Sequence, residues 1–133
     1  MASVLIVHSA REALRVLAEI LQRHGHRALT ATDGEHALRL FAGDPTEVVL
    51  SDVHLPGMGG IELLTRVREA FPEARTIAMC NRGSLDKEDV SEAVKNRGMI
   101  SILEKPFFPD ACLEAIRLLL DADDEGAVHA EGA

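Results

Sequence analysis

The side chains in this chain that could do chemistry stand where apolar runs end. Ser3-Val-Leu-Ile-Val-His8 closes on His8 and Ser9, Glu47-Val-Val-Leu-Ser-Asp-Val53 carries Asp52 with His54 just beyond, Thr76-Ile-Ala-Met-Cys80 leads into Asn81, and Lys105 follows the run from Met99 to Leu103. Asp52 interrupts an apolar segment, and a carboxylate there needs a compensating charge. Lys105 is the comparably placed cation. One reading is a structural ion pair at a strand end. Another is a metal centre, because the His8 and His54 imidazoles, the Cys80 thiolate and the Asp52 carboxylate form a ligand set better suited to Zn²⁺ than to Mg²⁺. No short ligand spacing such as HxxxH supports that second reading.

Composition excludes several functions. The 133 residues suit one domain around a single core, at 47% hydrophobic and 27% charged. Four Phe, no Trp and no Tyr leave almost nothing on which nucleic-acid bases could stack, and a formal net charge of −8 repels phosphate backbones and anionic membranes alike. No apolar run approaches the roughly 20 residues that span a bilayer, and the amino-terminal apolar run is too short for a signal peptide, so a cytoplasmic location is expected. Cys80 and Cys112 have no CxxC spacing and are expected to pack as small hydrophobes.

The elements that must position these residues follow from hydrophobic period. The continuous run up to His8 reads as a strand buried on both faces. Ser9-Ala-Arg-Glu12 reads as a capping box for a helix with Leu14, Leu17, Ile20 and Leu21 on one face, stopped by Gly25. The cycle repeats: a strand over His26 to Ala31, a capping box Thr32-Asp-Gly-Glu35, and a short helix facing inward through Ala37, Leu38 and Phe41. A third strand spans Glu47 to Val53, and the loop His54-Leu-Pro-Gly-Met-Gly-Gly60 separates it from a helix over Ile61 to Phe71. Thr76 to Cys80 makes a fourth strand, a weaker helix follows over about Asp89 to Arg97, and Met99 to Leu103 makes a fifth. Pro109 opens a last helix carrying Cys112, Leu113, Ile116, Leu119 and Leu120. Strands alternating with helices predict an α/β fold, a five-stranded parallel sheet flanked by five helices in three layers. The domain is expected over residues 1–120, with 121–133 an acidic, disordered tail. In such sheets the functional crevice lies outside the carboxyl ends of the strands, where the residues above sit.

The pattern resembles the receiver domain of two-component response regulators. The resemblance covers Ser3 to about Leu120 and rests on the apolar strand ending in Ser51-Asp52, Leu55-Pro-Gly-Met58 with Gly60, the Asp33-Gly34 helix start, and Glu104-Lys-Pro-Phe107. It implies the flavodoxin-like strand order 2-1-3-4-5. It also implies that Asp52 is the phosphoacceptor, that Lys105 contacts the phosphoryl oxygens, and that the peptide before Pro106 is cis. Attack by a carboxylate oxygen on a phosphoryl group requires the repulsion of two anions to be screened, by an ammonium and normally Mg²⁺. The resemblance places that metal on Asp52, the His54 backbone carbonyl and the two positions after the first strand.

Those two positions depart from the family. Where it has an acidic pair, this chain has His8 and Ser9, which replace neither the charge nor the hard oxygen donors that Mg²⁺ prefers, so a weak or absent Mg²⁺ site is expected. Cys80 stands at the switch position of a Ser or Thr and is a much weaker donor. Ile102 stands where the fifth strand usually carries Tyr or Phe, and Asn81 replaces a small neighbour. The resemblance implies a non-enzymatic signalling domain, a monomer or weak homodimer. Its partners are then a histidine kinase or phosphotransfer protein and a downstream protein target or effector domain. The alternative is a degenerate receiver that works as a phosphorylation-independent interaction module. A flavodoxin-like or dinucleotide-binding enzyme domain would need a glycine-rich phosphate loop, and Val7-His-Ser-Ala-Arg11 has no glycine.

Overall fold

The computed structural model describes residues 2–81, 100–105 and 109–121. Five strands, β1 (Ser3–Val7), β2 (Arg27–Ala31), β3 (Val48–Asp52), β4 (Arg75–Asn81) and β5 (Ile100–Lys105), pair in parallel in the order β2-β1-β3-β4-β5. The order is the expected one. Four described helices accompany them: α1 (Arg11–Arg23), α2 (Gly34–Gly43), α3 (Gly60–Ala70) and α4 (Pro109–Asp121). The helix expected over about Asp89 to Arg97, the Pro106 peptide and the tail beyond Asp121 lie outside the described residues.

Two apolar layers form because successive strand residues point to opposite faces. From β1, Val4 and Ile6 pack with Leu14, Leu21, Leu50, Leu103 and Ile116 beneath α1 and α4. Leu5 and Val7 pack with Ala37, Phe41, Leu63 and Val67 beneath α2 and α3. The sheet is therefore buried on both sides, which explains why β1 and β3 read as unbroken apolar runs rather than alternating ones. Both cysteines are free and buried in these layers, as expected, and burial pushes the Cys112 thiol up to about 12.

Helix starts differ from the sequence reading. The Ser9–Glu12 capping box does not form: the N-cap is Ala10, which gives no side-chain hydrogen bond, and Glu12 instead accepts from Arg15 at 2.6 Å. The second box is displaced by one residue, with the Asp33 carboxylate rather than Thr32 accepting the His36 N–H at 2.8 Å. Asp is as good a cap as Ser or Thr, so sequence spacing alone does not choose between neighbours. The last helix runs to Asp121.

Candidate functional site

Register brings the functional positions to one end of the sheet. Val7 lies beside Ser51, Asp52 beside Met79, and Asn81 beside Lys105, so the carboxyl ends of β1, β3, β4 and β5 finish near one level. Alternation then sorts them by face. His8, Asp52 and Lys105 follow Ile6, Leu50 and Leu103 in parity, all three of which belong to the α1–α4 layer.

Around Asp52 the sorting produces a compact constellation. Its side chain is only 6% exposed, and the Lys105 ammonium donates to Oδ1 at 2.9 Å. On the other side, His8 Nε2 stands 3.7 Å from Oδ2. The Ala10 N–H donates to His8 Nδ1 at 3.0 Å, which makes Nδ1 the acceptor nitrogen and assigns the ring proton to Nε2, facing the carboxylate. Burial holds the His8 pKa below its usual value and Lys105 adds to the effect, while Asp52 works in the opposite direction. The imidazole is therefore a neutral N–H donor aimed at Asp52.

The backbone that carries Asp52 is fixed by the loop after it. Val53 N–H donates to Met79 O at 3.0 Å, which holds the end of β3 on β4. Gly60 N–H then donates to Val53 O at 2.9 Å, closing the loop and starting α3. A Cβ on Gly60 would overlap the Asp52 carbonyl oxygen and lie 2.8 Å from Val53 Cα, so only glycine lets α3 begin this close to the strand. Gly57, with φ 75°, turns the loop through the left-handed region.

The other expected site residues divide. The His8 side chain is 15% exposed and lies beside Asp52. Ser9 is exposed and outside the helix cap. His54 is exposed on the loop after β3. Cys80 and Ile102 are 1% and 5% exposed and pack together in the α2–α3 layer, the face opposite to that of Asp52 and Lys105. Asn81 closes β4 beside Lys105. The Zn²⁺ reading is thereby overturned, since no group of three His, Cys, Asp or Glu that could hold a metal exists among the described residues. Strand parity separates Cys80 from His8 and Asp52.

The side chains present also fit Mg²⁺ poorly. One carboxylate oxygen of Asp52 is held by Lys105, and the neighbouring His8 nitrogen carries a proton and cannot ligate. What the constellation offers is a carboxylate held by the Lys105 ammonium on one oxygen, with the protonated nitrogen of His8 3.7 Å from the other. Charge compensation was enough to predict the Asp52–Lys105 pair, but not the inward turn of His8. Its only signal was a residue able to accept the Ala10 N–H and still reach the strand end.

A parallel sheet in this order, with its charged side chains gathered at the carboxyl end, defines a class of α/β domain, and comparison with known proteins gives the family. Residues 4–117 match the model of the response regulator receiver domain, and the chain belongs to that family. It is 31% identical over 129 residues to the hydrogenase transcriptional regulatory protein HoxA of Cupriavidus necator, covering 96% of this chain and 26% of HoxA. To sporulation initiation phosphotransferase F of Bacillus subtilis it is 31% identical over 117 residues, 88% of this chain and 92% of that one. Among solved structures, the chemotaxis protein CheY4 of Vibrio cholerae superposes with a TM-score of 0.80 at 28% identity, covering 90% of this chain and 98% of CheY4. The chain thus spans about a quarter of the length of HoxA and nearly all of the two shorter proteins. No helix among the described residues is long and apolar enough to cross a membrane.

Proposed function

We propose that this receiver domain accepts a phosphoryl group on Asp52 from a histidine kinase or phosphotransfer protein and signals through protein contacts, in the cytoplasm, as a monomer or weak homodimer. The observation that carries the reading is the buried Asp52 carboxylate at the end of the central strand with Lys105 Nζ on Oδ1 at 2.9 Å. The ammonium lowers the repulsion between carboxylate and incoming phosphoryl oxygens, and the strand holds the nucleophile in place. The domain itself is a phosphoryl acceptor and not an enzyme in this reading. Relatives named as a transcriptional regulatory protein and as a phosphotransferase support two outputs, contact with an effector domain and onward passage of the phosphoryl group. Incubation with a phosphorylated phosphotransfer protein should add one phosphoryl mass, labile to hydroxylamine and absent from Asp52→Asn. A stable adduct, or one that survives the substitution, rejects Asp52 as acceptor.

A second reading, an interaction module indifferent to phosphate, is favoured by the burial of Cys80 and Ile102 away from Asp52. It predicts equal partner affinity for the wild type, Asp52→Asn and phosphorylated protein. A difference of about tenfold, or about 1.4 kcal/mol, rejects it.

A further inference from the structure

The poor fit of Asp52's surroundings to Mg²⁺ has a counterpart in what those surroundings contain. Asp52 carries one negative charge and Lys105 one positive charge, and the His8 ring is neutral because Nδ1 accepts from Ala10. The group is electrically balanced without a cation. Two carboxylates at positions 8 and 9 would leave a net double negative charge, which a dication would neutralise; with His8 and Ser9 that excess does not arise. A protonated nitrogen also stands beside Oδ2, His8 Nε2 at 3.7 Å, just beyond hydrogen-bond distance. A cation seated against Oδ2 would meet the proton of that nitrogen.

We propose that phosphorylation of Asp52 proceeds without a divalent cation, His8 Nε2–H and the Lys105 ammonium being the two donors that take the phosphoryl oxygens. The inference rests on the reading of Asp52 as phosphoacceptor. With acetyl phosphate as donor, an Asp52 oxygen forms a bond to phosphorus, the bond from phosphorus to the acetyl oxygen breaks, and acetate leaves with the electron pair. No proton moves. His8 and Lys105 keep their protons and bind the equatorial oxygens, where charge accumulates. Such donors act without reorganisation only if held in place, and His8 is held twice, by the Ala10 hydrogen bond and by its position at the end of β1.

The test uses the full chain, acetyl phosphate and intact mass, in EDTA and in Mg²⁺, with calorimetric titration of Mg²⁺ alongside. The wild type should label at the same rate in both, within about twofold, and show no heat of Mg²⁺ binding. His8→Ala should label about a hundredfold more slowly, the usual loss for one oxyanion donor. His8→Gln, which keeps an N–H at nearly the same reach, should recover part of that rate. His8→Asp/Ser9→Asp should bind Mg²⁺ and label only in its presence. Circular dichroism confirms that each variant folds. Wild-type labelling that requires Mg²⁺ overturns the inference and leaves Asp52 as acceptor. Equal labelling of wild type and His8→Ala in EDTA removes His8 from the role. If only the diacid variant labels, the inference is wrong while Asp52 remains competent; if neither wild type nor diacid variant labels, the acceptor reading itself falls.

Discussion

Removing either member of the Asp52–Lys105 pair should have unequal consequences, because the two side chains differ in access to water. The carboxylate is 6% exposed and the ammonium 27%. In Asp52→Asn the lysine can turn its charged end toward solvent, since its long stem lets the head reach water while the methylenes stay packed. In Lys105→Met the carboxylate stays where β3 puts it, with only a neutral imidazole beside it. Stranding a buried charge is the costly direction. Urea denaturation should show Lys105→Met destabilised by about 3 kcal/mol and Asp52→Asn by clearly less. The reverse order would mean that the lysine, not the carboxylate, is the group the fold has to accommodate.

At the scale of elements, the tightest constraint on the site is the junction of β3 and α3. Gly60→Ala would drive a methyl group into the backbone of Asp52 and Val53, which cannot yield as a flexible side chain would, so a loss of about 3 kcal/mol is expected on urea unfolding. A second junction responds to pH. Ala2 N–H donates to His26 Nδ1 at 3.0 Å, tying the start of β1 to the residue before β2, and burial lowers the His26 pKa from 6.5. The unfolded chain therefore binds a proton more readily than the folded one. Stability rises with pH through the window below 6.5 and is lost as pH falls, first below 6.5 and fully below the folded value. His8, also lowered, adds a slope of the same sign. Melting temperature measured between pH 7.5 and pH 5 should fall, and His26→Gln should fall less steeply; equal slopes would remove His26 from the effect. These junctions also mark where sequence was legible. Strands buried on both faces announce themselves by unbroken apolar runs, and a lone carboxylate ending one of them demands its cation, so the parallel sheet and the Asp52–Lys105 pair could be read, while the strand order came from the family resemblance. Caps could not, because Ser9, Ala10, Thr32 and Asp33 compete for adjacent positions and backbone direction decides among them. Nor could the aim of His8, which depends on one hydrogen bond made two residues later.

For the whole molecule, the question is whether an event at Asp52 reaches the far face. A phosphoryl group shifts an equilibrium only through contacts that differ between two states. Cys80 and Ile102 sit in the α2–α3 layer against Leu5, Val49 and Ala78, on the other side of the sheet from Asp52 and Lys105. Ile102 is a stiff β-branched side chain at 5% exposure, with no ring to exchange between buried and exposed positions. Moving it would open a close-packed layer rather than select between two good packings. Lys105, by contrast, is continuous through β5 with Leu103, which packs beside Ile116 and Leu119 of α4. Among the described residues, Lys105 therefore links Asp52 to the α1–α4 layer, beside the backbone junction through Val53 and Gly60. Amide chemical shifts before and after acetyl phosphate treatment, with Asp52→Asn as control, should change most at His8, Val53 to Gly60 and Lys105. Smaller changes are expected along α4, and none above the control at Leu5, Val49, Ala78 or Ile102. Changes at Ile102 as large as those at Lys105 would show that the α2–α3 layer switches after all, and that an aliphatic residue at this position suffices to carry the signal.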